Sequence, residues 1–144
     1  MSASDSIFIH FNDVNASRLS FSEASIIQWL TDLARDHQRP IEEMNYIFCN
    51  DDFLYQLNKD HLGHTYLTDI LTFPYSYDPI QAEIYISLDR IEDNALEMGC
   101  PKGDELLRVI SHGLLHMLGF NDKTEAESLE MRAQEDMAIQ KFNP

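Results

Sequence analysis

The sequence predicts an α+β domain: one mixed four-stranded sheet covered by helices. Four short segments carry the alternation or apolar runs of strands, and stripes of helical spacing lie between and after them. At 144 residues, 44% hydrophobic and 24% charged, the chain suits a single domain (1–144) with one proper core. No run approaches the roughly 18 apolar residues of a membrane-spanning helix.

Ile7-Phe8-Ile9-His10-Phe11 reads as the first strand. Ser22 is a suitable N-cap for the first helix, with Phe21 and Ile26 at the spacing of a hydrophobic staple. Ile26, Ile27, Leu30, Leu33 and Ala34 then form one apolar face that ends before Pro40. Met44 to Cys49 reads as the second strand, and Asp51 caps a short helix to Asn58. His61 to Thr68 is a polar, irregular connection containing Gly63. Asp69 to Phe73 is a strand halted by Pro74, and Tyr75 to Pro79 a turn. Glu83 to Ser87 follows as the fourth strand, close enough to pair as an antiparallel hairpin. Leu88, Ile91, Ala95 and Met98 line a helix that ends at Gly99 and Pro101. A further helix opens near Asp104. Thr124 and Glu127 then make a capping box for a last helix to about Lys141, with Leu129, Ala133 and Met137 as its inner stripe.

Ten basic against 25 acidic residues give a formal charge of −15. Phosphate recognition usually needs a basic footprint, so this balance taken alone argues against a nucleic-acid partner, and no DNA is expected. An acidic surface keeps a protein soluble and can concentrate cations. Cys49 and Cys100 lie far apart with no metal-ligand spacing, which predicts reduced, buried thiols. Met1 to Asp5 lacks the basic and apolar regions of a secretory leader, so cytoplasmic residence without a membrane partner is the expectation.

The chemistry concentrates in His112-Gly113-Leu114-Leu115-His116-Met117-Leu118-Gly119-Phe120-Asn121-Asp122. Two His four apart on a helix are separated by about 40° beyond a full turn and a rise of about 6 Å, so their imidazoles can grip one cation from one side. Such pairs also arise by chance. Here, however, Leu106, Leu107, Val109, Ile110, Leu114, Leu115, Met117 and Leu118 make the helix apolar nearly all round. Buried imidazoles must be satisfied by hydrogen bonds or a metal. Gly119 lets the chain double back and bring Asp122 to the same ion. Two nitrogens and one carboxylate oxygen leave a fourth position open, the arrangement of a catalytic zinc site. Gly113 occupies the place where zinc peptidases with an H-E-x-x-H helix carry their general base, which argues against that mechanism. Gly there costs about 1 kcal/mol against Ala, so something needs the space.

Laid out in this way, the chain resembles the YbeY family of bacterial endoribonucleases. Residues 112–122 follow the family signature H-G-x-L-H-L-x-G-Y-D-H, and Leu67-Thr68-Asp69-Ile70-Leu71-Thr72-Phe73-Pro74 is similar to its P-T-D-V-L-S-F-P block. Leu57-Asn58 and Glu83 to Ser87 also fall where the family has similar residues, so the likeness runs from about residue 43 to the C-terminus. The resemblance implies a single α+β domain holding one zinc ion through His112, His116 and Asp122. It also implies cleavage of single-stranded RNA, maturation of the 16S rRNA 3′ end, ribosome quality control and contact with the small ribosomal subunit.

Two departures from the family pattern stand out. Asp122 replaces the usual third His, which lowers the site's net charge by one, should acidify a bound water less, and makes Mn²⁺ more acceptable. His61-Leu62 stand where the family commonly has Tyr-Arg, removing an arginine suited to phosphate. His61 and His64 are candidates for proton transfer or phosphate contact, though two exposed loop histidines is the simpler reading. Asp69 could orient a ligand imidazole or cap a strand start. Lys59, Arg108 and Lys123 are candidate phosphate contacts. Two other functions stay open: a zinc-dependent hydrolase of a peptide or small amide, and a non-catalytic ribosome-assembly factor with a structural metal.

Overall fold

A computed structural model describes residues 3–144. The leader expectation therefore rests partly on Met1 and Ser2, which lie outside the described residues. Four strands, β1 (Ile7–Phe11), β2 (Ile41–Cys49), β3 (Ile70–Tyr77) and β4 (Ile80–Ser87), form one sheet in the order β1-β2-β4-β3. β1 and β4 both run parallel to β2, and β3 closes the edge antiparallel to β4. The expected mixed sheet and hairpin are therefore both present. Parallel neighbours need crossovers, and α1 (Glu23–Asp36) and α2 (Asp51–Leu62) lie within them. Three further helices follow: α3 (Leu88–Met98), α4 (Lys102–Met117) and α5 (Glu125–Gln140).

β4 shows how sequence period sets burial. Ile80, Ala82, Ile84 and Ile86 are buried while Gln81, Glu83 and Tyr85 between them are only half-buried. The buried set joins Met44, Tyr46 and Phe48 of β2 in the main core, with Ile26, Leu30 and Ile110 from the helices. On the opposite face a smaller cluster of Cys49, Leu54 and Leu71 sits with Phe53, Leu57 and Phe73. The Tyr46 hydroxyl donates to the Ile110 carbonyl at 2.9 Å, which ties α4 to the sheet. α5 is pinned to α1 because Trp29 Nε1 donates to the Ala138 carbonyl at 2.8 Å and the Phe142 ring meets Trp29 edge-on.

Several boundaries move for identifiable reasons. β2 starts at Ile41, three residues earlier than Met44. The cap of α2 is Asn50, whose side chain accepts from the Phe53 amide at 2.8 Å, leaving Asp51 inside the helix. That helix continues past Asn58 to Leu62, taking in His61, and stops where Gly63 adopts φ +70°. Pro74 does not halt β3. An edge strand tolerates a missing donor, and a register shift between Pro74 and Ser76 carries the strand on to Tyr77. α4 opens at Lys102 after Pro101. The capping box of Thr124 and Glu127 is present.

The stripe expected on α5 is wrong. Leu129 and Met137 are 67% and 51% exposed, and Ala133 is exposed too. The buried face is instead Met131, Glu135 and Ala138. Apolarity alone misplaced it, because a carboxylate occupies the central inward position. Both cysteines are free thiols, Cys49 buried and Cys100 half-buried, and burial pushes the Cys49 pKa up to about 12.

Candidate metal centre

α4 delivers both histidines. Its apolar surroundings bury Leu106, Ile110, Leu114 and Leu115, and the one polar flank left carries His112 and His116. Gly113 points the other way. A Cβ there would come within 3.0–3.1 Å of two Ile84 carbons and 3.3 Å of Ile70 Cδ1, so the sheet itself uses the space. Glycine thus allows the histidine helix to sit close upon β4 and β3.

The return of the chain depends on Gly119. Its amide donates to the His116 carbonyl and the Phe120 amide to the Leu115 carbonyl, each at 3.1 Å, closing α4. Gly119 has φ +105°, and a Cβ would meet nothing within 4 Å. Its requirement is therefore conformational rather than steric. Gly119→Ala is expected to lower stability by about 1–2 kcal/mol. Urea unfolding with chelator present checks this; equal midpoints would show that the turn tolerates a side chain.

Beyond the turn, Ser128 Oγ donates to the Asp122 carbonyl at 3.0 Å and holds that residue from α5. Asp122 Oδ2 lies 3.3 Å from His112 Nε2, and Oδ1 lies 3.7 Å from His116 Nε2. One donor atom from each of the three residues lies within 4.8 Å of the others, a group that could hold a metal ion.

Glu135 completes the arrangement, and the sequence reading missed it. Its carboxylate is almost fully buried; Oε2 accepts from His112 Nδ1 at 2.7 Å and Oε1 accepts from Arg108 Nη1 at 2.9 Å. A proton held on Nδ1 leaves the Nε2 lone pair facing Asp122 and His116. The available signal was an acid on the Met131–Ala138 face of α5, since a buried carboxylate must find partners. Burial opposes charge on His112, but the Glu135 hydrogen bond and the charges of Glu135, Asp122 and Asp69 outweigh it and raise the pKa. Burial, followed by the His112 and Lys123 charges, lowers that of His116 despite Asp122.

The group opens on a cleft of about 720 Å³ between α4, α5, α3 and the start of β3. Asp69 lines it, but its Oδ2 meets Asn94 Nδ2 at 3.3 Å and not an imidazole, so the orienting role falls to Glu135. Burial raises the Asp69 pKa against its own amide, the His112 charge and the Ile70 amide. Arg108 reaches the cleft with its guanidinium committed to Glu135 and Asp136. Lys59 and Lys123 are not among its lining residues. His61 packs against Phe73, and His64 stacks on Tyr66 while taking its hydroxyl at 3.0 Å. Neither histidine lines the cleft.

The chain is similar to known proteins over most of its length. The family described as Endoribonuclease YbeY matches residues 11–143. A protein named Endoribonuclease YbeY from Cytophaga hutchinsonii is 46% identical over 123 residues, 83% of this chain and 86% of its own. One of the same name from Flavobacterium psychrophilum is 40% identical over 122 residues, 84% and 87% of the two chains. The fold is similar to the solution structure of TM1509 from Thermotoga maritima, with TM-score 0.70 and 26% identity, covering 93% of this chain and 87% of that one.

Proposed function

The chain belongs to the YbeY endoribonuclease family, and from that membership we propose that it is a zinc-dependent enzyme cleaving single-stranded RNA. The observation that carries the metal dependence is the convergence of His112, His116 and Asp122 at the mouth of a cleft. The three side chains are proposed as the ligands of one Zn²⁺, with Mn²⁺ acceptable to the oxygen donor. A cation held there would polarise a phosphodiester oxygen or acidify a water.

The protein's own contribution is positional. Glu135 fixes the tautomer and direction of His112, while Ser128 and the Gly119 turn bring Asp122 inward. RNA carries a nucleophile in its 2′-hydroxyl, so the lack of a base at Gly113 is no obstacle to RNA cleavage. It does weigh against a peptidase. The proposal extends to maturation of the 16S rRNA 3′ end and ribosome quality control, with the small subunit as partner in the cytoplasm. No helix among the described residues is long and apolar enough to cross a membrane.

The test is incubation of zinc-loaded protein with single-stranded RNA and with peptides, with and without chelator, at low salt. RNA cleavage that disappears on chelation and returns with zinc is expected. Peptide cleavage alone would support the amide hydrolase reading; no turnover with metal-dependent stability would support a structural metal. Product ends bearing a 2′,3′-cyclic phosphate would assign the attack to the 2′-hydroxyl.

A further inference from the structure

Arg132 belongs to the same face of α5 as Ser128 and Glu135, the residues that hold Asp122 and His112, and all three line the cleft. The cleft's other arginine, Arg108, is neutralised by Glu135 and Asp136 at 2.9 and 2.6 Å. Arg132 is exposed and forms no ion pair or hydrogen bond among the described residues, its charge acting on Glu105 only at longer range. Its surroundings are otherwise acidic, with Asp69, Glu105, Asp122 and Glu135 on the same walls and a formal charge of −15 overall. A polyanion approaching such a cleft meets repulsion except near a bound cation and near this uncommitted fork of donors.

We infer that Arg132 binds a phosphate of the RNA strand next to the one being cleaved, and so sets where the strand lies across the cleft. The inference rests on the RNA-cleaving reading above. It also identifies a phosphate-binding arginine on α5, whereas the expected place before β3 holds His61-Leu62.

The experiment is steady-state cleavage of a short single-stranded RNA by zinc-loaded wild-type, Arg132→Ala and Arg132→Lys protein over a range of salt. Arg132→Ala is expected to raise KM about five- to tenfold, as for one exposed charge-assisted contact. kcat should change little, and the salt slope of log(kcat/KM) should fall by about 0.7, the value for one single-strand phosphate. Arg132→Lys should recover the slope but only part of KM, because a point charge replaces a bidentate fork. Unchanged KM and slope in Arg132→Ala would overturn the assignment. Should wild type fail to cleave RNA, the functional reading falls, and anisotropy titrations with the same RNA judge Arg132 separately. Weaker binding and a shallower slope in Arg132→Ala would sustain the contact; equal binding, or none by wild type, would overturn it.

Discussion

Glu135→Ala is expected to weaken zinc binding about 10- to 100-fold and to destabilise the metal-free protein by about 2–4 kcal/mol. Two consequences combine. Removing the carboxylate frees His112 to rotate and to place its proton on Nε2, the nitrogen proposed to bind the cation. It also leaves the Arg108 guanidinium without its more buried partner, keeping only Asp136 at the surface. Competitive zinc titration and urea unfolding with chelator measure the two separately. Glu135→Gln separates the causes, since the amide oxygen still accepts from His112 Nδ1 while the charge facing Arg108 is gone. It should therefore keep more zinc affinity than stability. A Glu135→Ala protein that loses stability yet binds zinc as wild type does would reduce Glu135 to a structural ion-pair partner.

Gly113→Glu is the second substitution with a large expected effect, about 3–5 kcal/mol of lost stability from overpacking and burial of an unpaired carboxyl. Written as sequence, the change restores the H-E-x-x-H pattern of a zinc peptidase. In the structure it drives a side chain against Ile84 and Ile70, beginning with a Cβ only 3.0 Å from the nearest carbon. With total stabilities of about 5–15 kcal/mol typical of such domains, much of the protein would unfold on mild heating. Gly113→Ala provides the calibration. Its methyl group is tight, but the gain of about 1 kcal/mol in helix preference offsets much of the strain. Thermal denaturation of the two variants is the measurement. A Gly113→Glu protein as stable as wild type and newly active on peptides would show that the sheet does not claim this space.

The order of legibility follows the range of the interactions involved. Ser22, Gly99 and the Thr124–Glu127 box act within one or two turns, and each helix end they mark is where the sequence places it. Pro74 misled because its effect depends on whether its strand is central or at an edge, and only the strand order β1-β2-β4-β3 answers that. The α5 stripe misled for a related reason. Leu129, Ala133 and Met137 form a regular apolar row, yet the inward face is Met131, Glu135 and Ala138, where Glu135 pairs with His112 and Arg108, partners 23 and 27 residues away.

By itself the sequence determined the α+β class, the alternation that buries β4, the i,i+4 histidine pair and the turn that carries Asp122 back to it. All are local: they follow from helical and strand periods and from the conformational freedom of one glycine. Only the tertiary structure decided that Glu135 aims His112, that Arg108 is spent and Arg132 is not, and that Gly113 makes room for Ile84. Those outcomes depend on which charged groups meet when distant helices pack. A buried carboxylate takes whichever donors the packing places within about 3 Å, and periodicity along the chain carries no information about that encounter.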